Sequence, residues 1–318
     1  MTATSGSDAS CAGASEDGDV EDARECIRDD PLQTVWGRRH TVDGMNKTVF
    51  ITGCSSGFGR ATAALFLEKG WNVVATMRTP REKGELPDSE RVRLLRLDVT
   101  DRDSIAAAVR DGIAAFGGLD AVVNNAGIGL LSAFEVTPPD AIREVFATNT
   151  FGVMAVAQAV IPHLRERRSG TLVNVTSSVG IVPMPLVSVY TASKFAIEGL
   201  TESLSYELSC FGVRAKLVEP GYAPTTRFGA NSAERMRELI PEAYAPYAGQ
   251  VMQGFAGAKS TAEQDVARAV WIAATDGSAR LRYAAGEDAE ELAAMRRELP
   301  GESYLDSMRA AVGPKAGA

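Results

Sequence analysis

The sequence is poor in the residues that build metal centres and disulfide frameworks. Its 318 residues include only two histidines, His40 and His163, and four cysteines, none of them in a Cys-x-x-Cys pair. A zinc centre normally needs four nitrogen or sulfur ligands close in space, so we predict no metal site. A disulfide-stapled secreted domain is also unexpected, because such domains carry a recognisable cysteine framework. We therefore expect a reducing, cytoplasmic location.

The chain also lacks an excess of positive charge and a long apolar run. Its formal net charge is −8, which argues against a nucleic-acid partner, since such partners are held by lysine and arginine contacts to phosphates. The most apolar candidates, such as residues 153–164, contain polar residues and a proline. They fall short of the ~20 residues that a membrane-spanning helix needs, so we expect no membrane span.

The first 44 residues hold most of the charge, with ten acidic residues against four arginines and few large apolar side chains. Such a segment cannot bury enough apolar surface to offset the entropy of ordering it. It also lacks the basic start and apolar stretch of a signal peptide. We interpret it as a disordered acidic tail, or as sequence that precedes a true start at Met45. A regulatory role is the remaining alternative.

From residue 47 onward, short apolar segments alternate with amphipathic ones. The apolar segments predict strands at residues 48–52, 71–77, 92–97, 119–124, 171–176, 213–218 and 281–285. The amphipathic segments predict helices at residues 61–69, 104–116, 139–164, 187–210 and 262–274. This alternation implies an α/β fold of the Rossmann type, a doubly wound parallel sheet of about seven strands with helices on both faces.

The predicted catalytic domain covers residues 45–286, and residues 287–318 are predicted to form a C-terminal helical extension. Residues 222–260 interrupt the alternation, because they contain three prolines and many aromatic side chains. We predict that this segment is a substrate loop that closes an apolar pocket. Ordinary packing of short amphipathic helices against the core is the alternative.

A glycine-rich turn follows the first predicted strand. Its residues are Thr52, Gly53, Cys54, Ser55, Ser56, Gly57, Phe58 and Gly59. Glycines at this place let the main chain approach a pyrophosphate, whose charge is favoured by the N-terminus of the next helix. The spacing is Gly-x3-Gly-x-Gly rather than Gly-x-Gly-x-x-Gly. Its position between strand and helix predicts a dinucleotide site.

The ends of the second and third predicted strands bear on the choice of cofactor. A fold that selects NAD usually has an acidic residue after the second strand, to bond the ribose 2′-hydroxyl. Arg78 stands there instead, and its guanidinium suits a 2′-phosphate. NADP(H) is therefore the preferred cofactor, with NAD(H) possible, and a solvated surface arginine is the alternative. Asp98, beside Val99, is predicted to bond the adenine amino group or to be a turn or helix-capping acid.

A tyrosine and a lysine four residues apart, Tyr190 and Lys194, lie in the predicted helix 187–210. Residues four apart share a helix face, so the ammonium can lower the phenol pKa from its usual value of about 10. Taken alone, such a pair is usually a surface pair. However, Ser177 and residues 124–127 end the fifth and fourth strands, at the carboxyl edge where parallel sheets bind ligands. A serine hydroxyl there can hold a substrate oxygen.

Together these motifs resemble those of the short-chain dehydrogenase/reductase family, over about residues 46–285. Six family motifs have counterparts here: the glycine turn, the Asn-Asn-Ala-Gly run, the active-site serine, the Tyr-x3-Lys pair, a helix asparagine and a Pro-Gly turn. They lie at residues 52–59, residues 124–127, Ser177, Tyr190 with Lys194, Asn149, and Pro220 with Gly221. The Val-Glu-Pro-Gly run resembles the sequence at this place in the branch of the family related to steroid and retinol dehydrogenases.

The resemblance implies a role for each catalytic residue. Tyr190 is expected to be the general acid in reduction and the base in oxidation, and Lys194 to bond the nicotinamide ribose and lower the Tyr190 pKa. Ser177, rather than its neighbour Ser178, is expected to orient the carbonyl. Asn149 is expected to hold a water in a proton relay from Lys194 to solvent.

The resemblance also implies a set of cofactor contacts, in which Asn125 lies against the adenosine ribose. The set is Thr52, Gly53, Ser55, Ser56, Gly57, Phe58, Gly59, Arg78, Asp98, Val99, Asn125, Ala126, Gly127, Tyr190, Lys194, Pro220, Gly221 and Thr225, with Thr226 as the alternative to Thr225.

The expected function is an NADP(H)-dependent oxidoreductase that interconverts an alcohol and a ketone or aldehyde on an apolar small molecule. A 3-oxoacyl thioester reductase is one alternative, although no clear basic patch for a carrier protein is visible. A non-catalytic NADP-binding regulator would tend to lose the tyrosine, lysine or serine. A sugar-nucleotide epimerase or dehydratase usually has a larger C-terminal substrate domain. The helix pairing of the family implies a homodimer or homotetramer.

Overall fold

Seven parallel strands form one sheet in the computed structural model, which describes residues 46–80, 86–224, 226 and 239–314. The strands are β1 (Thr48–Thr52), β2 (Asn72–Met77), β3 (Val92–Arg96), β4 (Ala121–Asn124), β5 (Gly170–Val175), β6 (Val213–Pro220) and β7 (Arg282–Ala285). Their order across the sheet is β3-β2-β1-β4-β5-β6-β7. The chain order reverses between β1 and β4, and crevices at such reversals are where parallel sheets bind ligands.

Nine α-helices connect and cover the strands in the described ranges. They are α1 (Gly57–Glu68), α2 (Arg102–Phe116), α3 (Pro139–Phe146), α4 (Gly152–Arg167), α5 (Ser188–Ser209), α6 (Ala245–Ala256), α7 (Glu263–Thr275), α8 (Glu287–Glu298) and α9 (Gly301–Val312). A π-helical turn, Ala147–Phe151, joins α3 to α4 without a break. The predicted α/β doubly wound fold is confirmed.

Side chains of the strands alternate between two apolar cores, one on each face of the sheet. In β1, Val49 and Ile51 enter the core beneath α1 and α7, whereas Phe50 enters the core beneath α2, α4 and α5. Because both faces are covered, the central strands β1, β4 and β5 are buried along their whole length. The ligand-binding edge is therefore left at the carboxyl ends of the strands.

Several element bounds differ from the sequence-based expectation for local reasons. Helix α1 begins at Gly57, four residues before its predicted start, because the end of the glycine turn is itself the first helical turn. The predicted helix 139–164 contains the π-helical turn and ends at Arg167. The C-terminal extension is two helices, because Pro300 interrupts it as the N-cap of α9.

The predicted substrate loop is described only in part, since Thr225 and residues 227–238 lie outside the described residues. Its later half forms α6, which is tied to the end of α9. The Tyr247 hydroxyl donates to the Val312 carbonyl at 2.8 Å, and Gln250 Nε2 donates to the Gly313 carbonyl at 2.7 Å. The C-terminal extension therefore anchors the helix of the loop.

The same extension covers the chain that leaves β5. Tyr304 and Met308 on α9 pack against Val182, which is fully buried. Ile181 and Met184 from the same segment, and Leu292, Met295, Leu299 and Val312 from the extension, pack around this small core. The extension is thus packed next to the segment that follows Ser177.

One helical stretch in the described ranges, Pro139–Arg167, is long and apolar enough by composition to cross a membrane. This differs from the expectation that no segment reaches that length. Half of its most apolar window is buried inside the protein, where Val156 and Leu164 pack under the sheet. Core helices commonly meet the same test, so it is weak evidence for a membrane span.

Candidate active site

The glycine turn after β1 is packed so closely that Gly53 and Gly59 leave no room for a Cβ atom. A Cβ added to Gly59 would lie 2.3 Å from the Gly53 carbonyl oxygen, and one added to Gly53 would lie 2.9 Å from the Ala126 Cα. Gly53 and Gly57 have positive φ angles of 75° and 58°, which glycine adopts without strain. The turn thus places main chain without side chains at the N-terminus of α1, where an anion is favoured.

The chain after β4 holds this turn in place. Asn125 Nδ2 donates to the carbonyl oxygens of Thr52 (2.9 Å) and Gly53 (3.2 Å). In return, Thr52 Oγ1 accepts from the backbone N–H groups of Asn125 and Ala126, both at 3.0 Å. The structure therefore gives the Asn125 amide a role in shaping the turn. Its predicted place against the adenosine ribose stays a prediction.

Arg78 and Asp98 stand after neighbouring strands, as the sequence predicts. Arg78 is exposed just beyond the end of β2. The Asp98 carboxylate accepts from the Thr100 backbone N–H (3.0 Å) and hydroxyl (2.7 Å), and these bonds hold the pKa of Asp98 below its usual value. Asp98 is thus a turn acid, while Asp101 caps α2. Its adenine contact stays a prediction, as does that of Val99.

Ser177 and Tyr190 meet at the carboxyl end of β5. Their side chains are hydrogen-bonded to each other, and the Ser177 hydroxyl also donates to the Pro220 carbonyl at 3.4 Å. Ser178, the competing serine, is buried at the start of a short 3₁₀ turn, whereas Ser177 is only half-buried. The geometry therefore pairs the tyrosine with Ser177.

Burial raises the pKa of Tyr190, and its hydrogen bond to Ser177 opposes that shift. Lys194 lies one helical turn further along α5, with its Nζ 5.7 Å from the centre of the Tyr190 ring. The same Nζ donates to the Val175 carbonyl at 3.2 Å. Burial lowers the pKa of Lys194 to about 8, while the Glu198 carboxylate acts to raise it. The predicted lowering of the Tyr190 pKa by Lys194 stays a prediction.

Asn149 is fully buried in the π-helical turn. Its Oδ1 accepts from the Ile128 N–H at 2.9 Å, and its Nδ2 donates to the Ile128 carbonyl (2.8 Å) and to Ser193 Oγ (3.2 Å). A Cβ added to Gly127 would lie 3.4 Å from Asn149 Oδ1 and 3.7 Å from Lys194 Nζ. Asn149 therefore locks the chain after β4 against α5, and its part in a proton relay stays a prediction.

The Pro-Gly turn after β6 closes the site on its far side. A Cβ on Gly221 would overlap the Asp288 carboxylate, which accepts from the Tyr222 N–H at 2.6 Å. Thr225 lies outside the described residues. Thr226 is buried, with its methyl group 3.7 Å from the position of a Cβ on Gly57. Thr226 thus faces the glycine turn.

Three charged residues behind Lys194 were not assigned by sequence reasoning. They are Glu198 on α5, Glu219 on β6 and Arg282 on β7. Two sequence signals pointed to these residues: Glu198 follows Lys194 by one helical turn, and Glu219 directly precedes the Pro-Gly turn at the end of β6. These three side chains come together because β6 and β7 are adjacent in the sheet, and no single segment of the sequence reveals the strand order.

Comparison with known proteins agrees with this geometry. Residues 47–236 match the family model described as short chain dehydrogenase. The chain belongs to the short-chain dehydrogenase family. It is an oxidoreductase family, and the predicted resemblance is confirmed.

Three similar proteins illustrate the range of these short-chain dehydrogenases. Mouse (Mus musculus) 17-beta-hydroxysteroid dehydrogenase type 1 is 34% identical over 280 residues, which are 82% of this chain and 80% of the mouse protein. A short-chain dehydrogenase structure from Streptomyces avermitilis has 33% identity and a TM-score of 0.69, covering 83% of this chain and 94% of that one. ElxO, solved with NADP bound, has 25% identity and a TM-score of 0.61, covering 76% and 98% of the respective chains.

Proposed function

We propose that this short-chain dehydrogenase interconverts an alcohol and a ketone or aldehyde, using NADP(H). The observation that carries the proposal is the contact between the Ser177 and Tyr190 hydroxyls with Lys194 one turn away. A carbonyl oxygen held by these two hydroxyls receives a proton from Tyr190 in reduction and returns it in oxidation. Ser177 orients the oxygen, and the buried Lys194 places a positive charge beside the phenol when the phenolate forms.

The residues present fit a nicotinamide dinucleotide. Gly53 and Gly59 leave no room for a side chain, so the turn packs closely against the start of α1, and the N-terminus of that helix favours the charge of a pyrophosphate. When bound, the nicotinamide supplies or accepts the hydride. Lys194 and Tyr190 face the same edge of the sheet and would hold its ribose.

Preference for NADP(H) over NAD(H) is part of the proposal and rests on Arg78. The side chain is exposed at the end of β2, where the adenosine ribose binds in dinucleotide folds. A guanidinium there can form a bidentate contact to a 2′-phosphate. ElxO, which was solved with NADP, shows that NADP binding occurs among similar folds.

An apolar substrate is proposed from the loop and from a relative. Tyr222 and Phe255 stack beyond the Pro-Gly turn, with ring centres 5.2 Å apart. A similar protein is named for a hydroxysteroid substrate. Assembly as a homodimer or homotetramer is also proposed, and the exposed Phe151 and Phe195 on the outer faces of the site helices support it.

The first test titrates purified protein with NADPH and NADH, and then follows NADPH oxidation across apolar ketones, aldehydes and a 3-oxoacyl thioester. We expect tighter binding of NADPH and turnover of apolar carbonyls. Arg78→Ala should weaken NADPH binding at least tenfold and leave NADH binding nearly unchanged, because it removes only the phosphate contact. An equal effect on both cofactors would contradict the role of Arg78, and turnover of the thioester alone would favour a 3-oxoacyl reductase.

A further inference from the structure

A buried ionic cluster lies directly behind Lys194. Glu198 and Glu219 are only 4% and 1% exposed. Arg282 reaches both carboxyl groups, with its Nη2 3.3 Å from Glu198 Oε2 and its Nε 3.4 Å from Glu219 Oε1. In the part of the chain that the structure describes, Arg282 is the one guanidinium that pairs with both carboxyl groups, and keeping two ionised carboxylates buried against it is costly at low dielectric.

The two carboxyl groups are also in contact with each other. Burial raises the pKa of each, and the charge of Glu198 raises that of Glu219 further. Two carboxyl groups in contact cannot both ionise easily, because their negative charges repel. The pair therefore retains one proton over part of the pH range. With that proton, the pair carries one negative charge, which Arg282 and Lys194 both face.

The proton has a preferred place within the pair. Thr176 Oγ1 donates to Glu198 Oε1 at 2.5 Å, which stabilises the ionised form of Glu198. Lys194 and Arg282 add two positive charges beside it, whereas Lys194 is not among the charges that act on Glu219. Glu198 is therefore the ionised partner, and Glu219 is the protonated one.

Glu198 also contacts the chain on both sides of the site serine. Thr176 precedes Ser177, and a Cβ on Gly180 would lie 3.2 Å from Glu198 Oε1. Glu219 precedes Pro220, whose carbonyl accepts from the Ser177 hydroxyl. The cluster thus connects the three segments that carry Ser177, Lys194 and the Pro-Gly turn.

Lys194 is the titratable group that lies one helical turn before Glu198 on α5. Burial lowers its pKa to about 8, and the Glu198 carboxylate one helical turn away opposes that shift. The other groups that face the cluster are Tyr190 on the same helix, Glu202, which pairs with Arg282 at 3.2 Å, and Arg280, whose charge acts on Glu219. Since Lys194 titrates close to neutrality, a small change in the nearby charge alters how much of it is protonated.

We infer that Glu198 and Glu219 share one proton and act as positioning residues, which keep Lys194 protonated beside Tyr190 while that proton resides on Glu219. The effect on turnover rests on the proposed function. The effect on the ionisation of Lys194 does not.

The test measures that ionisation directly, by NMR of protein labelled at the lysine Cε carbons, without cofactor or substrate. The chain has seven lysines, and the Lys194 signal is the one missing from Lys194→Met. In the unchanged protein we expect it to titrate near pH 8. Glu198→Gln removes the nearest negative charge, so the midpoint should fall by about one pH unit.

Glu219→Gln is the matched control, since it also replaces one buried carboxyl of the pair by an amide. It leaves the full negative charge on Glu198, so the Lys194 midpoint should stay or rise. An equal fall in both variants would show a general disturbance of packing and overturn the inference, as would an unchanged midpoint in Glu198→Gln. If Glu198→Gln does not fold, a lower Lys194 midpoint in Glu219→Gln alone still overturns the inference. NADPH binding, measured separately, reports on the proposed function.

Discussion

At the scale of single residues, the hydroxyl of Tyr190 is the atom on which the proposed chemistry depends. It is buried, hydrogen-bonded to Ser177, and one helical turn from a lysine whose pKa is near neutrality. Removing only this oxygen leaves the ring and its packing in place. The residue can therefore be tested without disturbing the fold.

We expect Tyr190→Phe to lower kcat by a factor of about 10² or more, since general acid–base catalysis contributes on that order. The dissociation constant for NADPH should change only a few-fold. Tyr206→Phe, on the same helix but 69% exposed, should leave both quantities unchanged. Steady-state rates and fluorescence titration measure the two effects, and full turnover in Tyr190→Phe would remove the tyrosine from the mechanism.

Local spacing made the main site residues predictable. Tyr190 and Lys194 are one helical turn apart on one helix, and Ser177 directly follows the predicted strand 171–176, so each could be recognised within a short segment. The Glu198, Glu219 and Arg282 cluster could not be, because α5, β6 and β7 are far apart in the chain and meet only through the strand order. The hydrogen bonds of Asn125 and Asn149 to main-chain groups were missed for the same reason.

At the scale of elements, the glycine turn shows how one contact can fix a helix start. The hydrogen on Gly59 faces the Gly53 carbonyl, so the first turn of α1 lies directly against the end of β1. The sequence predicted the turn but placed the helix start too late. Glycine is a poor helix former, and only the packing explains why α1 starts inside the motif.

We expect Gly59→Ala to abolish NADPH binding and to lower the melting temperature, because the new methyl group would overlap the Gly53 carbonyl. Gly199→Ala is the matched control. Apart from its chain neighbours and the nearby backbone of α5, no atom of the described residues lies within 4 Å of its Cβ position, so the change should stabilise the protein by roughly 0.5–1 kcal/mol through helix propensity. Thermal denaturation with and without NADPH compares the two variants. Normal cofactor binding by Gly59→Ala would show that the close packing is not required.

At the scale of the whole molecule, the C-terminal extension joins two distant parts of the chain. Its last helix buries Val182 next to the site serine segment and accepts two hydrogen bonds from α6. Composition and periodicity predicted helical structure here, but they could not show which surface the helices cover. That surface is set by the side chains of residues 181–184.

Met308→Ala should therefore lower the free energy of unfolding by about 2–5 kcal/mol, the usual cost of truncating a core methionine. Leu305→Ala, on the same helix and 42% exposed, should cost less than about 0.5 kcal/mol. Chemical denaturation gives both values. Equal costs would indicate that α9 does not pack on the 181–184 segment in solution.

The position of Arg282 also has a consequence for biosynthesis. Glu198 and Glu219 leave the ribosome well before β7, which carries the only positive charge paired with both of them among the described residues. Domains fold as units while the chain emerges, but this pair has no guanidinium to balance it until β7 has been made. A nascent chain halted before residue 282 would therefore keep the two acids hydrated and helix α5 undocked, so α5 should dock only late in synthesis.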